Sequence, residues 1–352
     1  MNLIKNIFFV HSNITIYLAK HYIEKNSLDP LNIIIFYARL REKDVIALPG
    51  KKVDFLNIFY FEFVNKGRNL FEVFYRVCLS VYRVNRFLSA EVKSDYNLFV
   101  PHLFWDVLQL LATNSKCKKI TFMEEGDMTY VTENELLDRA IKEKELNIRT
   151  NDDFKRRVLS LNQLLNFHPF PKVAKKQEAI CLHPEAFPFP YIDKKVYNFK
   201  KVFCDKTFQF STNYHNSVIF VLENISALPE GSNLYLKKFQ ETLSYIKKMY
   251  GNKVFLKPHP AQLKNSDKLA RLLEIVKQAN VEYDIINDPI ELVLVNYENV
   301  KIFCHRSSII RYCFYAEVKP YVWGVSLFSE IDRKRPFYKF MEKHREVINV
   351  ID

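Results

Sequence analysis

Short apolar runs alternate with stretches of helical periodicity over most of the 352-residue chain. In the first half, Asn6 to Val10, Asn32 to Tyr37, Val53 to Tyr60, Tyr96 to Val100 and Lys119 to Met123 are compact β-rich runs. Continuous runs of this kind are expected of parallel strands covered on both faces. Between them, Ile14 to Lys25, Leu70 to Val92 and Leu103 to Thr113 place apolar residues at helical spacing. His11-Ser12-Asn13 stands at the first strand-to-helix junction, where Ser12 or Asn13 can cap the helix. The second half repeats the alternation. Ser217 to Leu222, Val254 to Leu256, Tyr283 to Ile286, Lys301 to Cys304 and Pro320 to Trp323 read as strands. Leu234 to Met249, Asp267 to Gln278, Ile290 to Asn296 and a segment from Ile309 read as helices. The first of these ends just before Gly251, the position a C-cap glycine takes.

Strands alternating with helices imply a doubly wound α/β sheet, here twice over. The length exceeds one ordinary core and is comfortable for two domains. Pro169, Pro171, Pro184, Pro188 and Pro190 interrupt the periodicity between the halves. The expected organisation is a first Rossmann-like domain over 1–165, a Pro-rich connection over 166–215, a second Rossmann-like domain over 216–328 and a charged helical tail over 329–352. In open α/β sheets ligands bind outside the carboxyl ends of the strands. The polar clusters at those ends are therefore the candidate chemistry.

Composition narrows the function classes. The formal net charge is +12, which favours polyanions, anionic head groups or acidic substrates. The excess is spread through pieces such as Lys118-Lys119, Lys175-Lys176 and Arg333-Lys334-Arg335. There is no basic arm, zinc-finger spacing or RNA-binding aromatic signature, so nucleic acid is not an expected partner. A solvated basic face and a face that meets the inner membrane both remain open. The six Cys have no CxxC pair and read as buried free thiols of a reducing compartment. No stretch has the length of a membrane-spanning helix, and Met1 to Val10 reads as a strand rather than a leader. A cytoplasmic protein is expected.

Glycine occurs only 6 times, and no GxGxxG or P-loop is present, which argues against a nucleotide fold of the usual Gly-rich kind. Three clusters remain. Glu124-Glu125-Gly126-Asp127 ends a strand; a carboxylate there can serve as general base toward a hydroxyl, or the group is an acidic turn. Lys257-Pro258-His259-Pro260 ends another; two prolines hold an imidazole beside a cation, as suits a phosphate, or the loop is only rigid. Ser307-Ser308 follows a third strand and opens a helix, where hydroxyls and free N–H groups can take a phosphate or simply cap the helix. Glu291, after Asp288-Pro289, can hold a ribose hydroxyl pair or favour the helix dipole. Asn13 can reach a substrate or cap its helix. His168-Pro169 and His183-Pro184 follow no clean strand and read as structural.

The order of the clusters resembles the bacterial sialyltransferases of GT-B fold, which share an (Asp/Glu)-(Asp/Glu)-Gly motif, a His-Pro motif and a Ser-Ser motif. The group includes capsular polysialyltransferases and lipooligosaccharide sialyltransferases, and the resemblance spans Glu124 to Ser308. It implies an α/β, GT-B-like fold of two Rossmann-type domains facing a central cleft. It implies an inverting, metal-independent sialyltransferase that needs no cofactor beyond its donor, CMP-sialic acid, and a surface glycan or glycolipid as acceptor. By the same resemblance Glu124 is the general base, with Glu125 and Gly126 in its motif. His259 contacts the CMP phosphate beside Lys257, Ser307 and Ser308 bind that phosphate, and Glu291 holds the ribose. Residue type alone does not separate Glu124 from Glu125. No metal site is expected; Asn151-Asp152-Asp153 reads as a helix start. The rival readings are a GT-B transferase using another nucleotide sugar, such as CMP-Kdo, and a non-catalytic GT-B-like assembly partner.

Overall fold

The computed structural model describes residues 4–38, 45, 47–55, 58, 70–103, 105–136, 170, 172, 175–222, 232–259 and 266–351. The Asn151-Asp152-Asp153 segment and Pro260 lie outside them. The chain forms two compact units, Met1–Asn198 and Phe199–Asp352.

The first unit is built on a seven-stranded sheet in the order β3-β2-β1-β4-β5-β6-β7. Its strands are β1 (Lys5–Val10), β2 (Ile33–Tyr37), β3 (Lys51–Asp54), β4 (Tyr96–Val100), β5 (Cys117–Met123), β6 (Lys176–Cys181) and β7 (Asp193–Val196). Every pairing is parallel. The helices are α1 (Asn13–Lys25), α2 (Leu70–Phe87) and α3 (Asp106–Thr113). Ile7, Phe8, Phe9 and Val10 of β1 are all fully buried, as a central parallel strand requires. Phe8 stacks on Phe99 of β4 with centroids 4.1 Å apart. α1 starts where its sequence dictates. The Ser12 hydroxyl accepts from the Thr15 N–H, and the Thr15 hydroxyl accepts from the Ser12 N–H, in a capping box.

The second unit carries a six-stranded parallel sheet in the order β10-β9-β8-β11-β12-β13. Its strands are β8 (Val218–Val221), β9 (Lys253–Lys257), β10 (Glu282–Ile285), β11 (Lys301–Cys304), β12 (Tyr321–Trp323) and β13 (Asn349–Ile351). Helices α4 (Ser232–Tyr250), α5 (Ser266–Gln278), α6 (Ile290–Asn296), α7 (Ile309–Tyr315) and α8 (Pro336–Lys343) pack around it. Trp323, Phe220, Phe239 and Phe303 centre its core.

Two segments differ from the sequence expectation. The 166–215 stretch contains β6 and β7, which complete the first sheet, and the units divide between Asn198 and Phe199. Pro184, Pro188 and Pro190 fall in the loop between β6 and β7, while Pro169 and Pro171 lie outside the described residues. The 329–352 tail adds a strand, β13, to the edge of the second sheet. The thiols also differ: Cys117, Cys181, Cys304 and Cys313 are buried and outside any disulfide, as expected, but Cys78 and Cys204 are exposed. Among the described residues no helix is long and apolar enough to cross a membrane.

The strand orders matter for function. Both sheets begin in the middle, grow outward to one side and then jump back, so each reverses direction at one place. That place is the gap between β1 and β4 in the first unit and between β8 and β11 in the second. In open α/β sheets, ligands bind outside the carboxyl ends of the strands at such a reversal point.

Candidate functional site

In the first unit, three polar side chains converge at the reversal point. His11 follows β1 directly, His102 lies two residues past β4 and Glu125 lies two residues past β5. Since β1, β4 and β5 are neighbours, these positions stand side by side at one edge of the sheet. His11 Nε2 is 3.0 Å from Glu125 Oε2, and His102 Nε2 is 3.9 Å from the same oxygen. The two imidazole rings meet edge to face, with centroids 5.7 Å apart. His11 and His102 are buried, while the Glu125 side chain keeps 26% of its surface exposed. Phe9 and Trp105 pack beside the His11 ring.

The two glutamates have different fates. Glu124 is 0% exposed. Its Oε1 accepts from the Tyr130 hydroxyl at 2.7 Å and its Oε2 from the Leu182 N–H at 2.6 Å. Its own N–H donates to Ile180 O of β6. A carboxylate held in this way ties the end of β5 to the end of β6 and to the turn that follows. Glu125 then points the other way, as alternate residues of an extended chain do. Its N–H donates to the Thr129 hydroxyl at 2.9 Å. Gly126 has φ +55°, the left-handed conformation that lets the chain turn sharply after Glu125. Asn13 begins α1 behind its cap Ser12 and belongs to the helix start.

In the second unit the expected residues also sit at strand ends. Pro258 is buried and fixes the exit of β9. His259 follows it with its side chain exposed toward solvent on one side; burial of the rest lowers its pKa below the ordinary histidine value. The imidazole is therefore neutral near pH 7 and presents an N–H donor. Lys257 is committed elsewhere. Its ammonium donates to Asn287 O at 2.9 Å and to Asp288 O at 2.8 Å. Burial lowers its pKa, and Glu291 and Asp288 oppose that shift. Lys257 thus clamps the loop that leads into α6. Asp288 Oδ2 in turn accepts from the Ser211 N–H, the Ser211 hydroxyl and the Tyr214 hydroxyl, each at 2.8 Å. On that fixed loop, Glu291 opens α6, and burial raises its pKa against the pull of Lys257.

β11 is followed by His305, whose Nδ1 lies 2.7 Å from Trp323 O of β12. Burial holds this imidazole down at about 4, the Trp323 carbonyl opposing, so it is a neutral strut. Arg306 Nη1 donates to both oxygens of Asp332, at 2.9 and 3.0 Å. Between these anchors and α7 sit the two serines. The Ser307 hydroxyl accepts from the Ile309 N–H at 3.3 Å. The Ser308 hydroxyl makes no hydrogen bond among the described residues and is half-buried. The cations nearest to them in sequence are occupied, Arg306 by Asp332 and Arg311 by Pro336 O.

Sequence reasoning placed most of these residues at strand ends and missed one. His102 carries the same signal as His11, a polar residue at the exit of an apolar strand, and the order of the sheet turns two distant exits into neighbours.

No known protein-family model matches the chain, and no curated protein matches it in sequence. Solved structures share its fold. The α/β-galactoside α-2,3-sialyltransferase of the luminous marine bacterium Photobacterium phosphoreum matches with a TM-score of 0.52 at 13% identity, over 98% of this chain and 98% of that one. The UDP-GlcNAc 2-epimerase of Methanocaldococcus jannaschii, solved with UDP-GlcNAc and UDP, gives a TM-score of 0.52 at 12% identity, over 99% of this chain and 89% of that one. The glycosyltransferase of kitacinnamycin gives 0.51 at 10% identity, over 100% of this chain and 87% of that one. At these identities the likeness is one of fold. The chain has the GT-B fold, two Rossmann-like parallel-sheet units.

Proposed function

We propose that the protein is an inverting glycosyltransferase that moves sialic acid from CMP-sialic acid onto a hydroxyl of a bacterial surface glycan, of capsule or lipooligosaccharide type. The observation that carries this reading is Glu125. It is a partly exposed carboxylate at the reversal point of the first sheet, flanked by two imidazoles. Its neighbour Glu124 is buried with both oxygens engaged. The general base of the motif is therefore Glu125, and Glu124 is the buried residue that aims it.

The chemistry follows from the groups present. The acceptor oxygen forms a bond to the anomeric carbon of sialic acid as the bond from that carbon to the CMP phosphate oxygen breaks. The acceptor proton passes to Glu125, and CMP departs with the bonding electron pair. Negative charge grows on the phosphate as it leaves. A neutral His259 donates a hydrogen bond to it, with the Ser308 hydroxyl as a second donor. The anionic phosphate itself raises the imidazole pKa and so strengthens this donor in the loaded state. Glu291, on the loop clamped by Lys257, holds the ribose hydroxyls. None of these steps calls for a metal. The net charge of +12 suits an anionic acceptor, and a peripheral position at the cytoplasmic face of the inner membrane.

Nucleotide binding tests the donor side independently of turnover. CMP at a hundred times its Kd stabilises the protein by about 2.7 kcal/mol, read as a rise in melting temperature. The expected pattern is a clear rise with CMP, a smaller one with UDP, and a loss of the CMP effect in His259→Ala and Ser308→Ala. A larger shift with UDP would replace the sialic acid donor with another nucleotide sugar.

A further inference from the structure

His11, His102 and Glu125 form more than the surroundings of a base. We propose that these three residues constitute a binding site for a transition-metal dication, Zn2+ above all, which competes with the acceptor for Glu125.

The donor set supports the assignment first. Two imidazoles and one carboxylate, with room for solvent at the remaining position, are a ligand set that catalytic zinc uses. Among the described residues this is the group of His, Cys, Asp or Glu side chains whose ligand atoms all fall within 4.8 Å of one another. In a tetrahedral site with bonds of 2.0–2.2 Å, ligand atoms stand about 3.3–3.5 Å apart. The separations here, 3.0 Å for His11 and 3.9 Å for His102 against the same Glu125 oxygen, bracket that value. Small χ adjustments of Glu125, which is partly exposed, close the difference.

The second support is the state of His11. Its side chain is 4% exposed, and its Nε2 makes no hydrogen bond among the described residues. Glu125 Oε2 stands 3.0 Å from it, at ion-pair distance. A buried ring nitrogen that is left unsatisfied costs about 1–3 kcal/mol. The support behind the ligands fits as well. β1, β4 and β5 are paired strands that fix the three positions. The Phe9 and Trp105 rings provide an apolar wall that orients the His11 ring.

A dication at this place takes the Glu125 lone pairs that would accept the acceptor proton. Zinc is then an inhibitor of transfer, a consequence that rests on the proposed role of Glu125. The binding claim itself does not.

The test uses the full chain, freed of metal by chelation and dialysis, in a Cys78→Ser, Cys204→Ser background that removes the exposed thiols. Equilibrium dialysis with Zn2+ and absorption spectra with Co2+ are the probes. The expected result is one equivalent bound at micromolar Zn2+, with Co2+ bands of a four- or five-coordinate nitrogen and oxygen site and no thiolate charge-transfer band. His11→Ala and His102→Ala each weaken binding by more than about 100-fold, beyond the effect of changes behind the ligands. His102→Gln, which keeps the polar volume, does the same, and circular dichroism and melting curves verify that each variant is folded. Absence of stoichiometric binding, or binding that survives in folded His11→Ala and His102→Ala, overturns the site. Zn2+ that binds as predicted yet leaves transfer unaffected would uphold the site and overturn the assignment of Glu125 as base.

Discussion

Glu125→Gln lowers turnover by about 10²–10⁴-fold, the range that a positioned base contributes, and leaves CMP binding unchanged. Glutamine keeps the size and the hydrogen-bonding reach of the side chain but cannot accept a proton at neutral pH. The loss falls on kcat, because the proton moves only in the transition state, and KM for the donor stays near its wild-type value. Folding is spared. Glu125 is partly exposed, and its backbone is held by Thr129 and by the turn at Gly126, independently of the carboxylate. The check is a steady-state comparison of kcat and KM for the two proteins together with their melting temperatures. Full activity in Glu125→Gln would remove this residue from the chemistry and return the question to His11 or His102.

Glu124→Ala has the opposite profile: a large loss of stability. The Tyr130 hydroxyl and the Leu182 N–H both donate to this fully buried carboxylate. Removing it strands two buried donors, at about 1–3 kcal/mol each, and leaves a cavity as well. The expected cost is about 3–5 kcal/mol, a large share of the stability of an ordinary domain. Glu124→Gln costs less, because one carbonyl oxygen still accepts while the new amide faces a donor. Tyr130→Phe costs least, since it deletes only one partner. Urea unfolding followed by far-UV circular dichroism gives the order. Equal stabilities for Glu124→Ala and the wild type would show that this carboxylate is not the clamp between β5 and β6. Loss of activity in Glu124→Gln is then indirect, through the aim of Glu125.

Much of this architecture is written in local pattern. Tyr96–Val100, Ile290–Asn296 and Lys301–Cys304 fall where their apolar runs end, because central elements are covered on all sides and carry an unbroken signal. The edge strands carry almost none. β7 is Asp-Lys-Lys-Val with every side chain exposed, and β13 is three residues long. Both are strands only because a neighbour offers backbone partners, which no one-dimensional pattern records. β6 opens with Lys176, Gln177 and Glu178, a polar start that hides a buried strand. There burial by itself raises the Glu178 pKa, but Lys176, Lys119 and Lys195 overcome it and hold the carboxylate down at about 2. Lys119 and Lys195 come from the partner strands β5 and β7, so that ion cluster is invisible before they pair.

The site divides in the same way. The strand-end rule located Glu124-Glu125, His259, Glu291 and Ser307-Ser308. It did not say which glutamate faces outward, because that depends on Ile180 of β6 and Leu182 just past it, more than fifty residues away. Lys257 reads as a phosphate cation beside His259, but in the fold it spends its ammonium on Asn287 and Asp288. His102 gains meaning only because β4 pairs with β1, which brings it to His11.

The central claim is transfer of sialic acid from CMP-sialic acid, and its most direct test is CMP release from CMP-N-acetylneuraminic acid in EDTA, with and without galactosyl and sialyl acceptors. The account predicts CMP release that depends on acceptor in the wild type, with the sialylated product detected by mass. No release with any acceptor, in a protein that CMP also fails to stabilise, would contradict it.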